Sequence, residues 1–378
     1  MKIAFVVEKA DRRGGQNRVV TELAQRLSPS HEVHIFCFEA ADRVDDVEYH
    51  IMPCPLKSRP LMQELWIPIA SRRALDPADF DIINAQGGNC FIANTTLVHT
   101  SHRRLAQVNE DVFFNRQDMP FWERYVRRWW QRRAMENERR VVRKCRGGVM
   151  TVSEKLRHTI ADTCEIGLEE ITAAPNGIDH DRFHPGLREE HRGPVRKELD
   201  MPNGAFVLLF IGARWEGKGL DRVLQAMQVL NNADLHLLVL GRGNPEAFAS
   251  LITPQLADTV HFLGHQPPEQ YYGAADCLVF PSRLEGFGLV MAEAAAAALP
   301  LVVTPEGVAE TLVVDGESGY LVDGDAEEIA EKIATLAADP QAARRMGQRA
   351  HEESLAFTWD RQAEIVEGVF ERVAAMES

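Results

Sequence analysis

No two of the six cysteines, Cys37, Cys54, Cys90, Cys145, Cys164 and Cys277, stand close enough in sequence to suggest a disulfide framework or a zinc knuckle. Their scatter fits a reducing cytosol. Long apolar runs are also lacking. None reaches the length of a membrane span, and the five apolar residues Ile3 to Val7 before Glu8 are too few for a signal peptide. A soluble or peripheral cytoplasmic protein is expected. There is no low-complexity tract, and the D-x-D triplet Asp323-Gly324-Asp325 falls in a turn, so it does not read as a metal site. Positive charge is scarce overall: the net charge is −14, which argues against wholesale nucleic-acid binding. From Glu123 to Arg146, however, ten Lys and Arg face three Glu, a local +7 that leaves −21 for the remainder.

What is present is an ordinary globular composition, 45% hydrophobic and 26% charged, spread over 378 residues. That exceeds what one core usually serves, so two domains of about 150–200 residues are expected. Apolar runs spaced by helical stretches recur along the chain. Ile3 to Val7, His31 to Phe38, Phe80 to Asn84, Thr95 to His99 and Gly147 to Ser153 read as strands of the first half. Phe206 to Ile211, Leu235 to Leu240, Val260 to Leu263, Cys277 to Phe280 and Leu301 to Val303 repeat the plan. Strands alternating with helices predict doubly wound parallel sheets. The stretch from Asp179 to Gly204 is polar and dotted with Pro185, Pro194 and Pro202, which places the domain boundary there, with domains at 1–185 and 186–358.

Ligands of such sheets bind beyond the carboxyl ends of the strands. After Phe280, Pro281-Ser282 stops the strand and the loop Arg283 to Gly288 leads into an apolar, Ala-rich helix predicted over Leu289 to Leu299. Its start behind Gly286-Phe287-Gly288 offers backbone N–H groups to a phosphate. Glu285 and Glu293 flank that spot and are either solvated or placed to accept hydroxyl donors; on so apolar a helix, a merely solvated Glu293 fits poorly. Arg214 and Lys218 sit in a glycine-bearing loop after Ile211, where two cations suit a diphosphate, or are ordinary loop charges. In the first half, Gly14-Gly15 marks a turn or a close ligand approach, and Gln86-Gly87-Gly88-Asn89 and His99 close two strands. His99 reads as a general base, an electrostatic partner or a hydrogen-bond donor, or as a structural residue. His99 and His102 have a metal-like spacing without an evident third ligand.

The basic stretch interleaves Phe121, Trp122, Tyr125, Trp129 and Trp130 with Arg124, Arg127, Arg128 and Arg132 at helical spacing. It reads as an interfacial helix on anionic lipid, or as a helix burying its aromatics in its own domain and showing a solvated basic face.

Several windows resemble the GT-B glycosyltransferases, the large retaining family that includes lipopolysaccharide-core glucosyltransferases and phosphatidylinositol mannosyltransferases. They are Gly14-Gly15, Pro175 to Asp179 with Phe183 and Pro185, Gly212 to Gly219, Ala275-Asp276, Pro281-Ser282, Glu285 to Glu293 and Gly316 to Val322, in family order. The resemblance implies two Rossmann-like domains facing across a cleft, with a final helix, 359–378, crossing back to the first domain. It implies a retaining enzyme that moves a hexose from a nucleoside-diphosphate sugar, UDP-linked, to a lipid-linked or lipopolysaccharide-core glycan at the inner membrane face. Arg214, Lys218 and the N–H groups of Phe287, Gly288, Leu289 and Val290 would hold the diphosphate, with Gly286 in the same loop. Glu285 would contact the sugar, Glu293 the ribose, Gly264 and His265 the nucleobase, and Gly15 a phosphate or the acceptor. His99 occupies the place where relatives carry a histidine near the reacting centre. No cofactor or metal is implied. A nucleotide-sugar epimerase on the same fold, a transferase with a soluble acceptor, and a non-catalytic adaptor are the alternatives.

Overall fold

The computed structural model describes residues 1–12, 15–55, 60–114 and 120–377, excepting the side chains of 60–64, 113, 114 and 377. Gly14 lies outside the described residues. The chain forms two compact units, Met1–Gly177 with Thr358–Ser378, and Ile178–Phe357.

The first unit carries a seven-stranded sheet in the order Val47–Ile51, Glu32–Cys37, Lys2–Val6, Ile82–Gln86, Thr95–Val98, Val149–Thr151, Ile171–Ala173. Every pair is parallel. The second unit carries six strands, again all parallel, in the order Val260–Gly264, Leu235–Leu240, Phe206–Ile211, Cys277–Phe280, Leu301–Val303, Gly319–Leu321. Helices cover both faces of such sheets, so central strands are apolar throughout rather than alternating. Leu235–Leu240 and Cys277–Phe280 are buried at every position. In both sheets the strand order reverses between the first strand and the fourth, and the crevice at that switch point is where doubly wound folds take ligands.

The domain boundary comes at Gly177–Ile178, earlier than the expected 185/186. Packing of the next few residues accounts for the difference. Phe183 is fully buried edge-on against Tyr272, and Arg182 pairs with Glu269, so this segment already belongs to the second core. The polar stretch read as a linker instead contains the helix Leu187–Glu198. Its arginines do not face water: Arg188, Arg192 and Arg196, one turn apart, converge on Asp276 at 2.9, 2.7 and 2.5 Å. The final helix, Trp359–Glu377, packs in the first unit. Phe370 reaches Phe5, and Gln362 Nε2 donates to Ala174 O and Asn176 Oδ1, both at 3.0 Å.

Candidate active site

In the second unit, the carboxyl ends of three neighbouring strands are bared by glycine. Gly212 N donates to Leu240 O at 3.1 Å, and Gly241 N to Gly264 O at 2.7 Å. Gly241 has φ +106° and no room for a Cβ against the Gly212 backbone. Glycine is therefore required here for the two strand ends to approach each other. Arg214 sits just beyond Gly212 in the left-handed region, φ +57°, and opens the short helix Trp215–Lys218. A non-glycine residue there is uncommon and mildly strained. The position is held by Arg214 N donating to Arg242 O at 3.1 Å and by Trp215, buried, whose indole N–H donates to Gly212 O at 3.0 Å.

Across the switch point, the fourth strand Cys277–Phe280 leads into the Glu285 loop. Lys218 Nζ lies 2.6 Å from Glu285 Oε1 and 3.4 Å from Leu284 O. The Glu285 side chain is 11% exposed, so the merely solvated reading of this residue does not hold. Gly288, φ +89°, begins the helix Leu289–Ala296, which stops short of Leu299. No side chain caps this start. Its first amides and dipole are thus available to an anion beside Lys218. Five residues into that helix Glu293 is buried and accepts a 3.0 Å hydrogen bond from Tyr272. Burial and the Glu293 carboxylate push the Tyr272 phenol well above its ordinary value, so it stays a donor. Gly264 and His265 are exposed at the end of the edge strand Val260–Gly264.

In the first unit, a cavity of about 170 Å³ opens at the corresponding switch point. Glu8 lies just past the first strand, Gln86, Gly88 and Asn89 close the fourth, and Thr100 and His102 lie just past the fifth. Gln16, Asn137 and the Trp130 ring complete much of the wall. His99 sits beside it: Nε2–H donates to Gln86 Oε1 at 2.7 Å, Gln86 Nε2 to Asn84 Oδ1 at 2.6 Å, and Asn84 Nδ2 to Thr95 Oγ1 at 3.0 Å. Burial pushes the His99 imidazole down to about 3 and that of His102 to about 4. Both rings are neutral at pH 7. His99 can give and take hydrogen bonds there but is a weak base. Burial also raises the Glu8 carboxyl. Gly15 is exposed at the first residue of the helix Gly15–Leu27.

Two family models divide the chain between them: "Glycosyltransferase Family 4" over residues 13–182 and "Glycosyl transferases group 1" over residues 192–353. The chain belongs to the GT-B glycosyltransferases. The D-inositol 3-phosphate glycosyltransferase of Thermomonospora curvata is 33% identical over 214 residues, 51% of this chain and 49% of that protein. Its counterpart in Nocardia farcinica is 33% identical over 222 residues, 55% and 48%. The chain thus spans about half the length of the curated relatives it matches. Among solved structures, sucrose-phosphate synthase from Thermosynechococcus elongatus superposes with a TM-score of 0.77 at 20% identity, covering 100% of both chains. WaaG, a glycosyltransferase involved in lipopolysaccharide biosynthesis, gives 0.75 at 18% over 99% of both. Anabaena HepE in complex with UDP and glucose gives 0.69 at 18%, over 100% of this chain and 99% of that one. At such identity these three speak for the fold alone.

In this GT-B glycosyltransferase the basic stretch forms the helix Phe121–Lys144. Its inward stripe, Gln131, Ala134, Glu138, Val141 and Val142, begins only at its third turn. Before it, Phe121 is 84% exposed, Trp122 59%, Tyr125 71% and Trp129 47%. Burial of these four rings in their own domain is therefore excluded. Trp130 alone turns inward, edge-on to His102 and into the cavity wall. Arg127 pairs with Glu123 at 2.8 Å and Arg128 with Glu110, whereas Arg132 is exposed; Arg124 is half-buried. No helix among the described residues is long and apolar enough to cross a membrane.

Sequence reasoning gave no role to Glu138, Asp276, Tyr272 or Glu8. Glu138, 2% exposed, accepts from His102 N at 3.0 Å and so satisfies the start of the helix His102–Asn109. A glutamate in helical register with Ala134, Val141 and Val142 was the available signal.

Proposed function

We propose that the chain is a retaining glycosyltransferase that moves a hexose from a UDP-sugar to an uncharged hydroxyl of a membrane-associated glycan. The observation that carries this is the second unit's switch point, where Arg214 and Lys218 follow the first strand, an uncapped helix start follows the fourth, and Lys218 holds Glu285 between the two loops. A leaving nucleoside diphosphate develops negative charge there, and preorganised donors stabilise it without reorganisation. Glu285, held by Lys218, accepts hydroxyl bonds from the transferred sugar. Glu293, oriented by Tyr272, accepts from the ribose, and the Gly264-His265 loop borders the base. The HepE complexes with UDP and UDP-glucose support a uridine nucleotide. Retention results if the departing phosphate oxygen takes the acceptor proton on the face it leaves; no side-chain nucleophile is then needed.

The acceptor reading rests on the first unit's cavity. Gln16 and Asn137 offer carboxamides, Thr100 a hydroxyl and Trp130 an aromatic wall, over a floor in which Gln86 and Asn89 are held by their own hydrogen bonds, which is the chemistry that grips a polyol. Among the described lining residues none is cationic, and Glu8 would repel a phosphate. An acceptor unlike inositol 3-phosphate is favoured. The exposed rings and Arg132 of Phe121–Lys144 support docking on an anionic inner membrane face.

The test is a thermal-shift panel of nucleotide sugars, in which a ligand at 100 times its dissociation constant adds about 2.7 kcal/mol. The best donor is then incubated with and without glycolipid, and the product's anomeric configuration is read by NMR. Inverted product would overturn retention, epimerised sugar without acceptor would make the protein an epimerase, and no ligand-induced shift would leave an adaptor.

A further inference from the structure

The edge of the first unit's sheet brings together three side chains that lie on two strands. In Val47–Ile51, Glu48 and His50 are two residues apart and so project on one face. The neighbouring strand Glu32–Cys37 sets His34 directly opposite Glu48 and Phe36 opposite His50. His34 Nδ1 is 2.8 Å from His50 Nε2 and 3.5 Å from Glu48 Oε2, and His50 Nε2 is 3.4 Å from Glu48 Oε1. Two imidazole nitrogens and a carboxylate therefore converge on one point.

The spacing fits a metal. With bonds of about 2.0–2.2 Å, tetrahedral zinc separates neighbouring ligand atoms by about 3.3–3.5 Å. The Glu48 carboxylate already stands that far from both rings, through Oε2 from His34 and through Oε1 from His50, and the 2.8 Å between the two nitrogens needs to open. The surroundings also fix the tautomer. His34 Nε2 lies 3.0 Å from Glu32 Oε1, which only accepts, so that nitrogen carries the proton and the lone pair of Nδ1 points into the cluster. A carboxylate behind a ligating histidine is the outer-shell arrangement that orients the ring and raises its basicity. Lys2 at 3.0 Å holds Glu32 in turn. His50 is stacked on Phe36 with ring centroids 4.3 Å apart, so its direction is set as well. Left alone, the two facing nitrogens must share a proton donated by His50. A divalent cation replaces that proton and leaves it to solvent.

We propose that His34, Glu48 and His50 bind one divalent ion of the zinc class, with solvent in the open fourth position, and that this ion clamps the edge strand Val47–Ile51 to its neighbour. Glu48 and His50 are reachable from solvent while His34 is buried, which gives the ion an entry path. The second unit supplies an internal contrast. His236 and His261 occupy its second and third strands, stacked at 5.5 Å with Nδ1 and Nε2 3.1 Å apart. No carboxylate joins them: among the described residues the His34 cluster is the one convergent group of three ligands.

The experiment uses the full chain without a histidine tag, freed of metal by a chelator and then dialysed. Zinc binding is followed by calorimetry, cobalt(II) by its visible spectrum, and both by melting temperature. One zinc per chain is expected at micromolar dissociation constant or tighter, with a tetrahedral cobalt spectrum lacking thiolate charge-transfer bands and a raised melting temperature. Glu48→Gln should weaken binding about tenfold or more, His50→Gln should abolish it, and His261→Gln should bind as the parent does. No stoichiometric binding, binding indifferent to His50→Gln, or a cobalt–thiolate spectrum from the cysteines would overturn the proposal.

Discussion

Lys218 Nζ and Glu285 Oε1 stand 2.6 Å apart across the second unit's switch point, joining the loop after its first strand to the loop after its fourth. Glu285 is nearly enclosed, so the pair is screened less than a surface ion pair and each member sets the other's position. In the transfer we propose, the ammonium serves both the developing phosphate charge and the sugar-facing carboxylate.

Lys218→Ala should lower kcat about 10²–10³-fold, the usual cost of one transition-state donor. It also leaves the Glu285 carboxylate without its counter-charge. Glu285→Gln should lower kcat with a smaller change in UDP affinity. The double variant should lose much less than the product of the two single losses, because neighbours in one network do not add. Steady-state transfer rates and UDP calorimetry on the four proteins check this. Additive losses would refute the coupling.

Asp276→Ala should be the most damaging single change to the second unit's stability, though it touches no ligand. Arg188, Arg192 and Arg196 would be left facing one another around an empty centre. Breaking such a pair from one side typically costs about 3–5 kcal/mol. Burial opposes the Asp276 charge, but Arg196 and Arg192 outweigh it and hold the carboxyl below its ordinary range. The folded state thus binds this proton less readily than the unfolded chain. The contribution is complete above about pH 4 and fades as pH falls below it. Melting curves of parent and variant should converge towards low pH; a constant gap would contradict the assignment.

That hub also explains why the polar stretch 179–204 resembles a boundary without being one. The interior strands are legible because burial on both faces writes them as unbroken apolar runs, as in Phe206–Ile211 and Leu235–Leu240. Val47–Ile51, an edge strand reading Val-Glu-Tyr-His-Ile, has no such run; its signal is a short apolar–polar alternation, which a reading built on apolar runs passes over. The helix Leu187–Glu198 looks like a solvated linker because sequence alone cannot show that its arginines meet one carboxylate some eighty residues away. In the candidate site, Arg214, Lys218 and Glu285 stand out through their glycine loops, and the structure joins Lys218 to Glu285. The cavity in the first unit is half legible: Gln86 and Asn89 close a strand, but Trp130 and Asn137 arrive from a helix whose rotation the aromatic pattern does not reveal.

His99 should leave no titration in the rate profile near neutrality. Its ring, pushed to about 3 by burial, is uncharged throughout the working range. kcat/KM should therefore be free of a His99-dependent limb between about pH 5.5 and 8, against about 6.5 for an ordinary histidine. His99→Gln, which keeps a donor towards Gln86, should retain more activity than His99→Ala. For stability the sign is the acid-sensitive one. The unfolded chain takes up protons at His99 and His102 below about pH 6.5 while the folded unit resists until about 3 and 4, so the first unit should weaken as pH falls through that window. A rate limb near pH 6.5 that disappears in His99→Gln would show a charged role instead.

The exposed rings at the start of Phe121–Lys144 give the membrane reading its most direct check. Phe121, Trp122, Tyr125 and Trp129 lie before the buried stripe begins, so replacing them removes no core contact. Trp122→Ser, Tyr125→Ser and Trp129→Ser together should leave stability nearly unchanged, within about 0.5 kcal/mol per site. Binding to anionic vesicles should nevertheless fall tenfold or more, since the rings supply buried apolar area and the cations only attraction. Arg132→Glu should act differently: it should weaken binding at low salt and matter little at high salt, where screening shortens to a few ångström. Because Arg127 and Arg128 are already paired with Glu123 and Glu110, their substitution should count for less than that of Arg132. Transfer to a soluble, detergent-dispersed acceptor should survive the ring variant while transfer to vesicle-borne acceptor drops. Equal co-sedimentation of parent and ring variant with anionic and neutral vesicles, insensitive to salt, would mean that this surface serves another partner.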